Sequence, residues 1–335
     1  LPRPGAGFRK AAIGNRHGTM TIARATIFGG SGFIGRNIVK RLAKRGVVVR
    51  AAVRDPEAAL FLKPMGQVGQ IAPVAADVRS EKAVAAAVAG VDLVINAVSL
   101  GVQTRRHRFA DVHVQGAKRV ARLAAAAGVK RLVHMSGIGS DPHSDSAYVA
   151  ARGHGDIAVR EAFPGATLLK PSVVFGPGDH FFTTFAAMAR VAPALPLFGG
   201  GTARVQPVYV GDVADAAMKV IDDGASAGTE FELGGPTVYT YRELMALLLR
   251  TVERKRLLVA VPERIALIMA AFAALLPNRP LTRDIVKLAV ADNVVGPGAK
   301  GLKDLGIAPT TVEVILPTYM DRYRKSGRWR NARFA

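Results

Sequence analysis

The sequence contains no cysteine. That excludes disulfides, thiolate zinc sites, iron–sulfur clusters and cysteine nucleophiles, and it fits a reducing compartment. Acids are scarce. The chain holds 25 Asp and Glu against 46 Lys and Arg, a formal net charge of +21. The basic clusters Arg105-Arg106-His107-Arg108, Lys118-Arg119 and Lys130-Arg131, and the late run Arg322, Arg324, Lys325, Arg328, Arg330 and Arg333, adjoin no module of stacking aromatics. Nucleic acid is therefore the weakest partner. Two readings of the charge stay open: a solvated basic surface, or an acidic partner such as anionic lipid or an acidic subunit. His134, His143 and His154 lack metal-ligand spacing, so no metal is expected. A long apolar run is also missing. Residues 263–276, between Pro262 and Pro277, place Ile265, Ile268, Met269, Phe272, Leu275 and Leu276 at helical spacing opposite mostly alanine. That helix would reach about 21 Å against a hydrocarbon core of ~30 Å, too short to span it. It is either buried within its own lobe or packed on a subunit or membrane surface.

What is present is half apolar, in a chain of 335 residues, enough for one large or two modest domains. The run Thr26-Ile27-Phe28-Gly29-Gly30-Ser31-Gly32-Phe33-Ile34-Gly35 is a strand, a tight glycine turn and a helix start. Such a turn holds a dinucleotide pyrophosphate. Strands are expected at 25–28, 47–53, 74–76, 91–97, 131–135, 167–170, 205–210 and 230–233. Helices are expected at 33–45, 81–89, 114–127 and 213–222, the last capped by Asp212. The alternation predicts an α/β fold: a Rossmann-type doubly wound parallel sheet with a smaller, mainly C-terminal, α-rich lobe. Residues 1–19 read as a basic, poorly ordered arm, a processed leader or upstream sequence, because Met20 stands just before the first strand. Residues 20–235 form the nucleotide domain, with a lobe insertion at about 175–204. Residues 236–320 form the smaller lobe and 321–335 a basic tail.

In the turn, Gly29 permits the bend, Gly32 admits the phosphates and Gly35 lets the helix pack on the strand. Gly30, Ser31, Phe33 and Ile34 complete the binding segment. Arg54 falls just past the second strand and Arg36 follows the last glycine. Two cations near one phosphate favour NADP(H) over NAD(H), although Asp55 lies only one residue from Arg54. Asp77 and Val78 suit an adenine contact. Asn96, Ala97 and Val98 suit passage of the adenosine ribose.

These motifs resemble the short-chain dehydrogenase/reductase family, in its extended or atypical branch, over roughly residues 22–235. The resemblance implies a Ser, a Tyr and a Lys four residues after it as the active site. Ser136 and Tyr148 match, but Arg152 stands at the lysine position. A planar guanidinium does not copy an ammonium at a shaped site. Ser136, Tyr148 and Arg152 are thus vestigial catalytic candidates, with Ser136 and Tyr148 lining the nicotinamide pocket.

Further stretches narrow the match: Lys63-Pro64-Met65-Gly66-Gln67-Val68-Gly69-Gln70, Arg160-Glu161-Ala162-Phe163-Pro164, Lys170-Pro171-Ser172, Gln206-Pro207-Val208-Tyr209-Val210-Gly211-Asp212-Val213 and Leu302-Lys303-Asp304-Leu305-Gly306-Ile307. Together they look like the NADPH-binding accessory subunits of respiratory complex I. The resemblance implies a tightly held NADPH (or NADP+) with Lys170 and Pro171 among its contacts. It also implies a structural or assembly role beside the quinone-binding region, outside the electron-transfer chain. The implied partners are other complex I subunits and an anionic membrane surface. The implied place is the cytoplasmic face of a bacterial inner membrane, or the matrix side in a eukaryote. A free-standing NADPH-dependent reductase or epimerase is the alternative.

Overall fold

The computed structural model describes residues 22–104, 106–273 and 281–325. The arm expected at 1–19, residues 326–335 of the expected tail, and Leu275 and Leu276 lie outside the described residues. Seven parallel strands form one sheet among them: β1 (Arg24–Phe28), β2 (Val48–Val53), β3 (Ile71–Ala75), β4 (Leu93–Asn96), β5 (Arg131–Met135), β6 (Thr167–Pro171) and β7 (Glu230–Leu233), in the order β3-β2-β1-β4-β5-β6-β7. Every residue of β4, β5 and β6 is buried, as a parallel sheet covered on both faces requires. One face packs on α1 (Phe33–Lys44) through Ile38, Val39 and Leu42, and on Val213, Ala217 and Ile221 of the later helix Val210–Asp222. The other packs on α2 (Glu81–Val88), α3 (Ala117–Ala126) and α4 (Ala147–Ala162) through Val84, Val120, Ala124 and Val159.

Several expectations shift for local reasons. The third strand begins earlier than expected and contains Pro73, which lacks an N–H; β3 is an edge strand, where that is tolerated. A π-helical turn over Ala110–Gly116 replaces the first part of the helix expected at 114–127. The strand expected at 205–210 breaks into Arg204–Val205 and Val208–Tyr209 around Gln206-Pro207. The helix that follows starts at Val210, so Asp212 sits inside its first turn rather than capping it. The Asp212 carboxylate instead accepts the Thr310 N–H and hydroxyl at 2.6 and 3.0 Å.

The smaller lobe is assembled from separated stretches. Its core joins Phe175, Phe182, Leu195, Leu244, Leu248, Leu316 and Met320. It contains α5 (Phe181–Val191) and, beyond α6 (Val210–Asp222), α7 (Tyr241–Thr251), where Thr240 and Glu243 form a capping box. The strands Ala194–Phe198 and Leu257–Val261 pair in parallel beside them. The lobe is not one block from 236 to 320. Leu302 and Leu305 pack into the sheet core, and Glu232 N donates to the Lys300 carbonyl at 2.8 Å. Phe182 and Ala186 of α5 share one core cluster with Tyr241, Leu244 and Leu248 of α7.

Helix α8 (Glu263–Ala273) is turned the opposite way from a buried amphipathic helix. Ala266 and Ala270 are 0% and 1% exposed, whereas Ile268 and Phe272 are 58% and 71% exposed. The small residues face helix α9 (Arg283–Val290), through Val286, and Phe198. Among the described residues no helix is long and apolar enough to cross a membrane.

Candidate nucleotide-binding site

A groove of about 210 Å³ lies over the C-terminal ends of β1, β2, β3 and β4. The strand order reverses between β1 and β4, the place where doubly wound sheets bind ligands. Gly29, Ser31 and Gly32 form its floor, with Arg54 after β2, Asp77, Val78 and Arg79 after β3, and Ala97 and Val98 after β4. Gly29 adopts φ +74°, and a Cβ there would meet the Ala97 carbonyl at 2.8 Å. A Cβ on Gly35 would lie 2.1 Å from the Gly29 carbonyl, so Gly35 is required by the Gly29–Gly30 loop against it. Helix α1 begins with no side-chain cap at Gly32 and no acid in its first turn. Its leading N–H groups and positive dipole end are left for an anion.

Not every expected contact reaches the groove. Gly30, Phe33, Ile34 and Gly35 build the turn and helix start behind it; Gly30 packs against Ala51. Asn96 is buried, with Nδ2 3.2 Å from His134 Nδ1 and its Oδ1 accepting the Val98 N–H, so it fixes the Ala97–Val98 backbone. Arg36 is a correction. Its guanidinium donates to the Pro177 and Gly178 carbonyls at 3.4 and 3.1 Å and pins that loop instead of facing the groove. Lys170 is another. Strand β6 buries it, and its Nζ is held 3.3 Å from Asp156 and 2.6 Å from Glu230. Ser136 is a third: its hydroxyl donates to Asp156 at 2.9 Å, and it does not line the groove.

Sequence reasoning passed over Arg79. It lines the groove and makes a forked pair with Asp77, Nη2 to Oδ2 at 2.6 Å. That hydrogen bond, ahead of the charge of Arg54, holds the Asp77 carboxyl below the usual carboxylate range. The signal was there in Asp77-Val78-Arg79, a cation two residues past a strand end. Asp55 does not face the groove; its Oδ1 accepts the Ala58 N–H at 3.1 Å in a turn. Arg54 and Arg79 therefore line the groove past β2 and β3 without Asp55.

Tyr148, Arg152 and Pro171 line a second, larger cavity of about 750 Å³ between the sheet and the smaller lobe. Arg152 donates to the Tyr148 hydroxyl, and its guanidinium carbon lies 5.4 Å from the ring centre. Burial pushes the phenol up. The Arg152 charge, with hydrogen bonds to Ser99 and Arg152, outweighs this and holds it below its ordinary 10. His113 stacks edge-on at 5.5 Å. Burial lowers His113 and His134 to about 4, so both are neutral near pH 7. Asp156, one helical turn beyond Arg152, was also passed over. It gathers Ser136, Ser140 and Lys170 around one oxygen, with His134 at 3.7 Å from the other.

The glycine cradle, the uncapped helix and the two groove arginines fit the phosphates and adenosine of a nicotinamide dinucleotide. Comparison with known proteins agrees with that fold. Residues 25–234 match the NAD dependent epimerase/dehydratase family. The dTDP-glucose 4,6-dehydratase of Streptomyces venezuelae, solved with NAD bound, superposes with a TM-score of 0.68 at 20% identity, over 92% of this chain and 98% of that one. The mitochondrial NADH-ubiquinone oxidoreductase 40 kDa subunit of Neurospora crassa is 31% identical over 324 residues, 95% of this chain and 84% of that protein. The NADH dehydrogenase [ubiquinone] 1 alpha subcomplex subunit 9 of Arabidopsis thaliana is 33% identical over 339 residues, 98% of this chain and 82% of that protein. The chain belongs to the NAD dependent epimerase/dehydratase family and, within it, to the group formed by these complex I subunits.

Proposed function

We propose that this protein is an accessory subunit of a respiratory NADH:ubiquinone oxidoreductase that holds NADP(H) as a structural ligand, outside the electron-transfer chain and beside the quinone-binding region. The observation that carries the non-catalytic part is the arginine at the lysine position: Arg152 reaches the Tyr148 hydroxyl with a planar guanidinium that does not copy a compact ammonium at a shaped site. Arg54 and Arg79 at the adenosine end, with Asp55 committed elsewhere, support NADP(H) over NAD(H). Gly29, Ser31, Gly32, Arg54, Asp77, Val78, Arg79, Ala97 and Val98 would hold the nucleotide, and the group when bound brings hydride chemistry.

The net charge of +21 and the exposed apolar face of α8 support a peripheral seat against other subunits and an anionic membrane surface. In a bacterium that seat is the cytoplasmic face of the inner membrane, and in a eukaryote the matrix side. After gentle detergent extraction the protein is expected to sediment with the large respiratory complex and to release NADP(H) on denaturation. A monodisperse enzyme that turns over a substrate would sink the proposal. One observation favours a second reading, an NADPH-dependent reductase or epimerase: the acidified Tyr148 phenol opens on the 750 Å³ cavity. That reading requires an activity that Tyr148→Phe abolishes while nucleotide binding persists.

A further inference from the structure

The 750 Å³ cavity falls within the ~300–1,000 Å³ of small-molecule sites, and its lining is chemically lopsided. Among the described residues no carboxylate lines it, and their only permanent charge there is Arg152. Arg152 is half-buried and makes no ion pair among the described residues. Several other polar groups are already engaged within the protein. The Ser140 hydroxyl donates to Asp156 at 2.7 Å, the Ser172 hydroxyl donates to Asn293 Oδ1 at 2.6 Å, and the Asn293 amide donates to the Ile138 carbonyl at 3.3 Å. The wall from the smaller lobe is Phe181, Phe185, Met188 and Phe198. Met269 and Leu288 line the cavity and are also 44% and 41% exposed, so it reaches the surface beside the apolar face of α8.

A guanidinium with no ion-pair partner among the described residues, set beside apolar walls, calls for an anion, and the walls call for a chain. We propose that the cavity binds a single-chain carboxylate of fatty-acid type, its carboxylate on Arg152 and its chain against Phe181, Phe185 and Met188, with the mouth at Met269 and Leu288. The inference goes beyond the proposed function, since it requires neither the nucleotide nor the respiratory complex.

The full-length protein is titrated with the fluorescent carboxylate cis-parinarate, then displaced with laurate, myristate, palmitate and hexadecanol. Saturable binding is expected, tightening roughly fourfold per added methylene until the cavity is full. Hexadecanol should bind roughly tenfold to a hundredfold more weakly than palmitate. Arg152→Met should remove that difference, and Ala289→Trp, which fills the cavity from its lining, should block both ligands while NADPH still binds. Absence of saturable binding, equal affinity for acid and alcohol in the wild type, or unchanged palmitate binding in a folded Ala289→Trp variant overturns the proposal. The acid–alcohol comparison uses the unaltered protein, so it decides the matter even if a variant fails to fold. NADPH titration of the same samples separates failure of this site from failure of the nucleotide reading.

Discussion

Arg54 and Arg79 stand at the same end of the groove but in different states. Arg54 has no hydrogen-bond partner among the described residues, whereas Arg79 is forked onto Asp77. Losing one charge-assisted phosphate contact costs roughly 1.5–3 kcal/mol. Arg54→Ala should therefore weaken NADPH by about tenfold to a hundredfold and NADH much less, measured by fluorescence titration; equal losses would refute a 2′-phosphate site. Arg79→Ala should also release Asp77 to repel the phosphate. The buried histidines give a pH prediction. His113 and His134 fall from 6.5 to about 4 in the folded state, so the unfolded chain binds more protons between those values. Stability is complete above about 6.5 and is lost as pH falls toward 4, by on the order of 3 kcal/mol per histidine. Urea unfolding at neutral pH and near pH 5 should show a wild-type loss that His113→Gln reduces. At this scale the sequence displayed the glycines, Arg54 and the Tyr148–Arg152 pair, because their spacing is local. It could not display Arg36 bent onto Gly178 or Lys170 onto Glu230, contacts that cross 142 and 60 positions.

Among the elements, α8 is the one whose orientation the periodicity leaves open. The pattern marks a helix apolar almost all round, and the structure buries its alanine side, Ala266 and Ala270, beside Val286 of α9. Phe272→Ser and Ile268→Ser should change stability by less than about 0.5 kcal/mol, as exposed sites do. The same changes should lower flotation with vesicles rich in anionic lipid. Ala270→Leu should instead destabilise by roughly 1–3 kcal/mol through overpacking. If the serine variants unfold the protein or float unchanged, the exposed face is not an association surface. The βα repeat itself was legible because each strand is a short apolar run closed by a turn, and each helix has one apolar face. The boundaries moved where a proline or a π turn intervened, features set by neighbouring packing.

At the level of the molecule, the two lobes are coupled by a returning segment. Leu302 and Leu305 fill the sheet core, and Thr310 is tied to Asp212, before the chain re-enters the smaller lobe at Val312. Leu305→Ala should cost roughly 2–5 kcal/mol. It should lower one cooperative unfolding transition rather than split it, as followed by calorimetry. NADPH present at about a hundred times its dissociation constant should restore about 2.7 kcal/mol, because it binds only the folded state. Two separated transitions would show that the lobes fold independently.

The sequence by itself determined the parallel sheet, the glycine turn that cradles a dinucleotide and the substitution of arginine at the lysine position. All three rest on local chain geometry, on apolar runs and short fixed spacings. Tertiary structure alone decided that Arg79 rather than Arg36 joins Arg54 at the groove, and that Lys170 belongs to an internal ion pair. It also decided that α8 shows its large side chains to the outside and that Arg152, bonded to the Tyr148 hydroxyl, lines a largely apolar cavity with no ion pair among the described residues. Those outcomes depend on which distant segments meet, and a side chain's partner is set by the fold around it rather than by its neighbours in the chain.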